Sequence, residues 1–368
     1  MNPSKVYFTT MATSMRESVT DKMLRLCKAA GIDTLDVQDK YVAIKLHFGE
    51  DGNLAYLRHN YAAALAQHVK ARGGKPFVTD CNTLYIGSRT NALDHLACAS
   101  RNGYNTLSLG CEVIIADGLL GKDERLVPVE GGEYVQQAKI GAALMDADVV
   151  ISLSHFKGHE AAGIGGAIKN LGMGGGSRAG KMEMHCSGKP QVDDSLCVGC
   201  KLCGKACAHA AIGYATGKAV IDHDKCVGCA RCIEACPKNA IQPPFHSNEF
   251  LNKKMAEYAA AVVKGRPQFH VALAIDISPF CDCYSVNDVP IIPDVGMFAS
   301  FDPVALDHAC VDACNAQPVE ANSALAACAH THGDHFADLA PTTDWAQCLQ
   351  HCEKLGVGSF GYELVTVK

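Results

Sequence analysis

Residues 197–237 hold eight cysteines in two copies of one spacing, and any fold of this chain has to accommodate them. The first copy reads CVGCKLCGKAC, with Cys197, Cys200, Cys203 and Cys207. The second reads CVGCARCIEACP, with Cys226, Cys229, Cys232 and Cys236, closed by Pro237; 18 residues lie between the two. A single CxxC is equally a zinc half-site, a disulfide or a redox dithiol. Two complete four-cysteine runs are a far more specific signal, because three close cysteines followed by a fourth form the run that ligates [4Fe–4S] clusters. The competing reading is a pair of zinc knuckles, which join two short CxxC or CxxH elements and have no use for the third close cysteine.

The block resembles the bacterial two-cluster ferredoxins, in which the fourth cysteine of each run crosses to the other cluster. That resemblance implies one cluster on Cys197, Cys200, Cys203 and Cys236 and another on Cys226, Cys229, Cys232 and Cys207. One departure is Ala208, which stands where a proline usually follows the fourth cysteine. Lys201 and Lys205 add positive charge that favours the reduced, more negative cluster.

The chain of 368 residues is long enough for two or more domains, and 48% hydrophobic content suits a globular protein. A net charge of −6 with no long Lys/Arg block offers no footprint for nucleic acid. The start, MNPSKVYFTTMATSM, lacks the pattern of a signal peptide, and no apolar run has the length of a membrane span. Twenty cysteines in that setting predict a reducing cytoplasm, in an anaerobe.

Apolar runs at 6–10, 41–48, 75–80, 112–117, 148–154 and 269–277 read as strands, and segments near 13–30, 54–72, 88–102 and 133–146 as helices. Such alternation predicts an α/β fold with a mainly parallel sheet and flanking helices. The pattern stops near 188 and resumes near 249. The expected organisation is therefore an α/β domain in two parts, 1–188 and 247–368, interrupted at 189–246 by a small α+β ferredoxin-like two-cluster domain. GKPQVDD and QPPFHSN read as its linkers, and AAIGYATGKAVIDHDKC and NAIQPP as its internal repeat.

Ligands of α/β sheets gather beyond the carboxyl ends of strands, and four such ends here are polar. IKLHFGE carries Lys45, His47 and Glu50; VTDCNTLYIGSR carries Asp80, Cys81, Asn82, Tyr85 and Arg89. SHFKGHEAAGIGGAIKNLGMGGGSRAGK carries His155, Lys157, His159, Lys169, Asn170 and Arg178. DISPFCDCYSVNDVPIIPDVG carries Asp276, Cys281, Asp282, Cys283, Asp288 and Asp294. Any one is readily a solvated loop; four in one sheet point to a shared site. These stretches, with FDPVALD at 301–307 and TTDWAQCLQHCEKLGVGS at 342–359, resemble the family known as domain of unknown function 362. Its iron–sulfur branch has a two-cluster ferredoxin insertion, and the resemblance implies an architecture and a pocket without an established reaction.

The block from Gly163 to Gly180 contains eight glycines, whose backbone could cradle a substrate phosphate, a carboxylate or a flavin tail, or simply pack closely. It is no P-loop, because Met182 stands where Ser or Thr would hold magnesium. An additional metal or reactive thiol could involve His155 and His159, expected on a loop, or Cys281 and Cys283, whose period-2 spacing would align both thiols on an extended segment. His185 and Cys186, beside the cysteine block, could line the same junction. Cys310/Cys314 and Cys348/Cys352 read as small buried residues on helices, and His330, His332 and His335 as an exposed loop.

These residues predict an oxidoreductase. Two [4Fe–4S] clusters would take electrons from a redox partner protein or reductase and pass them to a small anionic substrate or cofactor in the α/β domain. Lys45, Lys157, Lys169, Asn170 and Arg178 would bind the anion; His47, His155 and His159 are candidates for proton transfer and Cys283 for a thiol role. The rival readings are an electron carrier or cofactor-handling module without turnover, and a redox or iron sensor. A pocket joining the Gly-rich block, His47 and the CDC segment near one cluster favours the enzyme.

Overall fold

Near-continuous apolar strands need cover on both faces, and the chain supplies it with helices on each side of one sheet. The computed structural model describes residues 3–85, 87–185, 189–207, 209–226, 231–242 and 248–368. Eight strands form the sheet: β1 (Ser4–Thr9), β2 (Tyr41–Lys45), β3 (Lys75–Asp80), β4 (Glu112–Ile115), β5 (Val149–His155), β6 (Gln268–Ala274), β7 (Gly296–Ser300) and β8 (Tyr362–Thr366). Their order is β8-β1-β7-β6-β5-β2-β3-β4. Only β7 runs antiparallel to its neighbours, so the sheet is mainly parallel as expected. β5 is buried along its whole length and pairs with β6 from the far side of the cysteine block.

Helices α1 (Val19–Ala29) and α2 (His59–Ala71) pack Met23, Leu26, Leu65 and Val69 against Ile44 and Ile151 on one face. Short polar side chains start the helices: Ser18 caps α1 and Asn91 caps α3 (Ala92–Arg101), each accepting from first-turn N–H groups. The other face is covered by α4 (Ala167–Gly175), α6 (Asn248–Val263), α7 (Pro303–Asn315) and α8 (Trp345–Lys354). α5 (Arg178–His185) follows α4. Gly172 lets α4 and α6 touch, since a Cβ there would sit 2.2 Å from the Met255 carbonyl oxygen.

Four local expectations are corrected. Residues 137–141 form a strand paired with 124–128, and only Ala142–Asp146 of the expected 133–146 helix is helical. His155 ends β5 and His159 ends a short strand, Lys157–His159, so neither is on an irregular loop. Cys281 to Tyr284 make a turn, closed by the Tyr284 N–H on the Cys281 carbonyl at 3.1 Å, in place of an extended segment. The Gly-rich block, weighed as an open cradle, is mostly the helices α4 and α5.

Between 189 and 242 the described residues carry short strands at Gln191–Val192, Ile212–Gly213, Val220–Ile221 and Ile241–Gln242, and short helices at Leu202–Ala206 and Arg231–Glu234. The first strand pairs with the fourth and the second with the third. Cys186, Ala208, Cys229 and most of QPPFHSN lie outside the described residues. No helix among the described residues is long and apolar enough to cross a membrane.

Candidate functional site

Beyond the carboxyl ends of β2, β3, β5 and β6, buried charges meet in pairs. The Lys45 ammonium lies 2.8 Å from Asp80 and donates to Asn170 Oδ1 at 2.9 Å. Asn170 in turn donates to the Lys45 carbonyl at 2.9 Å and to Ser154 Oγ at 3.1 Å. Arg89 bonds Glu50 at 3.0 Å and reaches toward Asp80 at 3.9 Å. Burial pushes the Asp80 carboxyl up, but Lys45, His47 and His95 outweigh it and hold the group well below the usual carboxylate range.

Asp282 pairs with both His155, at 3.0 Å, and Lys157. His155 also places Nε2 2.8 Å from the Ile275 carbonyl, so both ring nitrogens face acceptors. Burial again works against the charge on Asp282, and His155 and Lys157 overcome it. The Asp282 carbonyl accepts the Glu50 N–H at 3.1 Å, which ties the CDC turn to the segment after β2.

Next to this pair stands a cysteine sulfur ringed by donors. Cys281 Sγ accepts from Lys169 Nζ at 3.4 Å and from the Cys283 N–H at 3.4 Å. The Cys283 thiol's own hydrogen bond, resisted by burial and joined by Lys169 and His159, holds Cys281 well below the ordinary thiol range. Cys283 is correspondingly pushed well above it, by that same bond and by burial. These surroundings favour ionisation at Cys281 over Cys283, the residue that the sequence favoured for a thiol role. His159 Nδ1 accepts from the Ala161 and Ala162 N–H groups, both at 3.1 Å, which leaves Nε2 to carry the proton and donate.

His47 accepts from the Gly49 N–H at 3.0 Å; burial, then Arg89, hold its ring at about 3, so it stays neutral. His185 is likewise held at about 3 by burial, with His159 and Lys169 adding to the effect. Its ring meets Tyr85 edge-on at 5.5 Å. Lys45, Lys157 and Lys169, expected to bind an anion, each face an internal one: Asp80, Asp282 and Cys281. Arg178 stands apart, donating to the Thr90 carbonyl at 3.0 Å. The N-terminus of α4, where a phosphate could sit, is filled by Asp307, which accepts from Ala167 N at 2.7 Å and Ile168 N at 2.9 Å. Asp288 and Asp294 are exposed on the surface. His330 and His332 face Asp338, at 3.6 and 2.8 Å.

Sequence reasoning missed His95, buried within 4.0 Å of Asp80, because one histidine on an apolar helix face carries no signal. It also missed Leu84 and Met182. These belong to the same apolar cluster as Cys203, Cys232, Cys236 and Ile241, with Tyr85 packed against it, so the cysteine block sits on the α/β domain beside His185.

One cavity is lined by Cys197, Cys200, Cys203 and Cys236, together with Tyr214 and Lys238. Polar hydrogens aim at the sulfurs. Ala219 N–H lies 3.4 Å from Cys197 Sγ, Ala240 N–H 3.2 Å from Cys236 Sγ, and Ala211 N–H 3.4 Å from Cys207 Sγ. The Tyr214 hydroxyl is 3.3 Å from Cys203 Sγ. Among the described residues, no group of three or more His, Cys, Asp and Glu side chains converges as ligands on one metal ion.

A family model described as domain of unknown function (DUF362) matches residues 42–312. No curated protein matches the chain. Among solved structures, the lactate racemase apoprotein from Thermoanaerobacterium thermosaccharolyticum is similar at 12% identity and a TM-score of 0.39, over 74% of this chain and 51% of that one. A Thermotoga maritima protein solved by structural genomics is similar at 13% identity and a TM-score of 0.35, over 72% and 52%. The chain thus spans about half the length of these structures.

Proposed function

The chain belongs to the DUF362 family, and on that premise we propose that it is an iron–sulfur oxidoreductase of the cytoplasm. In this reading a ferredoxin-like module at 189–246 holds two [4Fe–4S] clusters, one on Cys197, Cys200, Cys203 and Cys236 and the other on Cys226, Cys229, Cys232 and Cys207. It takes electrons from a reduced partner and delivers them to a small substrate at the Cys281 site. Such clusters supply one-electron transfers when bound.

The observation that carries the reading is the cavity lined by cysteines of both runs, in the crossed set that the ferredoxin resemblance implies. A single metal ion needs ligands converging on one point; thiols around a shared cavity suit a larger body. The N–H groups of Ala219 and Ala240 and the Tyr214 hydroxyl stabilise negative sulfur, which raises the potential of whatever the thiolates hold. The strand–helix–strand order, repeated twice in the module, is that of ferredoxin-like folds. An enzyme is favoured over a carrier or a sensor because Leu84, Tyr85 and Met182 join the module to the element that bears His185, beside the Cys281 site. At that site His155 and Lys157 hold Asp282, and His159 holds a donating proton at Nε2.

Elemental analysis of anaerobically purified protein tests the proposal. About eight irons with equal labile sulfide, and a paramagnetic signal on reduction, are expected. Cys236→Ser should lose about half the iron. Stoichiometric zinc without labile sulfide would falsify it.

A further inference from the structure

We propose that Cys281 and Cys283 form a redox-active dithiol whose substrate is a disulfide. The inference rests on the reading above only in locating the site, and it names a substrate class for that site. Its footing is the geometry of the CDC turn. The turn draws residues 281 and 283 together, and the Cys283 N–H already touches Cys281 Sγ at 3.4 Å. The Lys169 ammonium, carried by α4, points at the same sulfur. His159, its Nδ1 committed to the Ala161 and Ala162 N–H groups, presents an N–H to the site. Cys281 is buried while Cys283 is partly exposed and borders an exposed stretch, Tyr284 to Val289, so Cys283 is the one of the two nearer solvent.

In the proposed reduced state one proton serves both sulfurs, with Cys283 held well above the ordinary thiol range and Cys281 well below it. One other buried pair lacks this environment. Cys310 and Cys314 sit one helical turn apart with no cation beside them, and burial pushes both up. A structural role would leave Cys281 and Cys283 in that same neutral state.

The exchange balances without a further reagent. As the Cys283 sulfur attacks one sulfur of a disulfide RSSR, the shared proton passes to Cys281 and RS⁻ leaves. The Cys281 sulfur then attacks the mixed disulfide on Cys283. Its proton goes with the second leaving group, which departs as RSH. The products are the Cys281–Cys283 disulfide, one thiolate and one thiol. Both substrate sulfurs are reduced and both protein sulfurs oxidised. Lys169 stabilises the anionic, reduced pair and so makes its disulfide a stronger oxidant.

The test uses anaerobic full-length protein with its iron in place, equilibrated in mixtures of glutathione and glutathione disulfide, then acid-quenched, alkylated and mapped by mass spectrometry. The expected result is a Cys281–Cys283 disulfide that appears with a defined midpoint while Cys310 and Cys314 stay reduced. Cys281→Ser should trap glutathione on Cys283. In Lys169→Met the disulfide should form at a glutathione disulfide level lower by about tenfold, the loss of one charge-assisted hydrogen bond. Both thiols remaining free across the whole series, or a midpoint that ignores Lys169, overturns the proposal. Iron and labile sulfide measured on the same samples separate the two readings, because their absence counts against the clusters while leaving the dithiol result intact.

Discussion

Replacing Asp282 by Asn removes one negative charge from a buried trio and almost nothing else. The side chains of Asp282, His155 and Lys157 are 2%, 3% and 6% exposed, so water cannot compensate. At about 3 Å, with an effective dielectric near 20, a full charge pair such as Lys157 and Asp282 is worth roughly 5 kcal/mol of Coulomb attraction before desolvation is subtracted. Asn keeps the volume and one oxygen acceptor, so a hydrogen bond survives while the Lys157 ammonium loses its counter-ion. Breaking a buried pair in this way costs about 3–5 kcal/mol, a large share of the roughly 5–15 kcal/mol that holds a domain folded. Urea unfolding under reductant, read by circular dichroism, should show a lower midpoint with an unchanged slope. Adding Lys157→Met should restore part of the loss, because contacting residues are not additive. A loss below about 1 kcal/mol, or strict additivity in the double variant, would refute the idea that the trio is held together by charge.

Other outcomes follow from single contacts. Gly172→Ala puts a Cβ against the Met255 carbonyl and should cost about 1–3 kcal/mol in thermal melts while the iron content holds. Burial raises the Asp117 carboxyl to about 6, above its unfolded value, so its contribution is fully present below about pH 4 and is lost as pH rises through 6. That two-unit shift is worth about 3 kcal/mol, and urea titrations from pH 4 to 7 should show the decline in the parent protein and a flatter profile in Asp117→Asn. Met182→Ala opens the seat of the cysteine module on the α/β domain, and hydrogen exchange across 189–242 should speed up while β5 is unchanged.

Six strands were legible because a parallel sheet writes itself as apolar runs, and β5, VVISLSH, is buried at every position. β7 and β8 were missed for different reasons. GMFAS is five residues with no alternation, and YELVT lies at an edge of the sheet, where its partner β1 is more than 350 residues away in sequence. The 137–141 strand was read as helix because its apolar residues fit either period; the partner at 124–128 decides, and pairing is not a local property. The site shows the same division. The residue types at the strand ends were visible, and most of them do meet. Who pairs with whom was not, since His155 and Asp282 are 127 positions apart and Lys169 and Cys281 are 112 apart. That blindness matters for chemistry. A lysine read alone suggests an anion-binding site, whereas Lys169 already faces the sulfur of Cys281.

The pairing of Gln191–Val192 with Ile241–Gln242 bears on how the polypeptide assembles. Strands β5 and β6 are neighbours in the sheet, yet the cysteine block lies between them in the chain. Left as a floppy excursion, the stretch from 192 to 241 would add roughly 3 kcal/mol of closure entropy to bringing those strands together. Clasped at its own base, it presents the sheet with two ends already side by side. The module then behaves as a plug-in whose assembly shortens the path its host must close. Replacing it with a short turn should leave the strand order of the host intact.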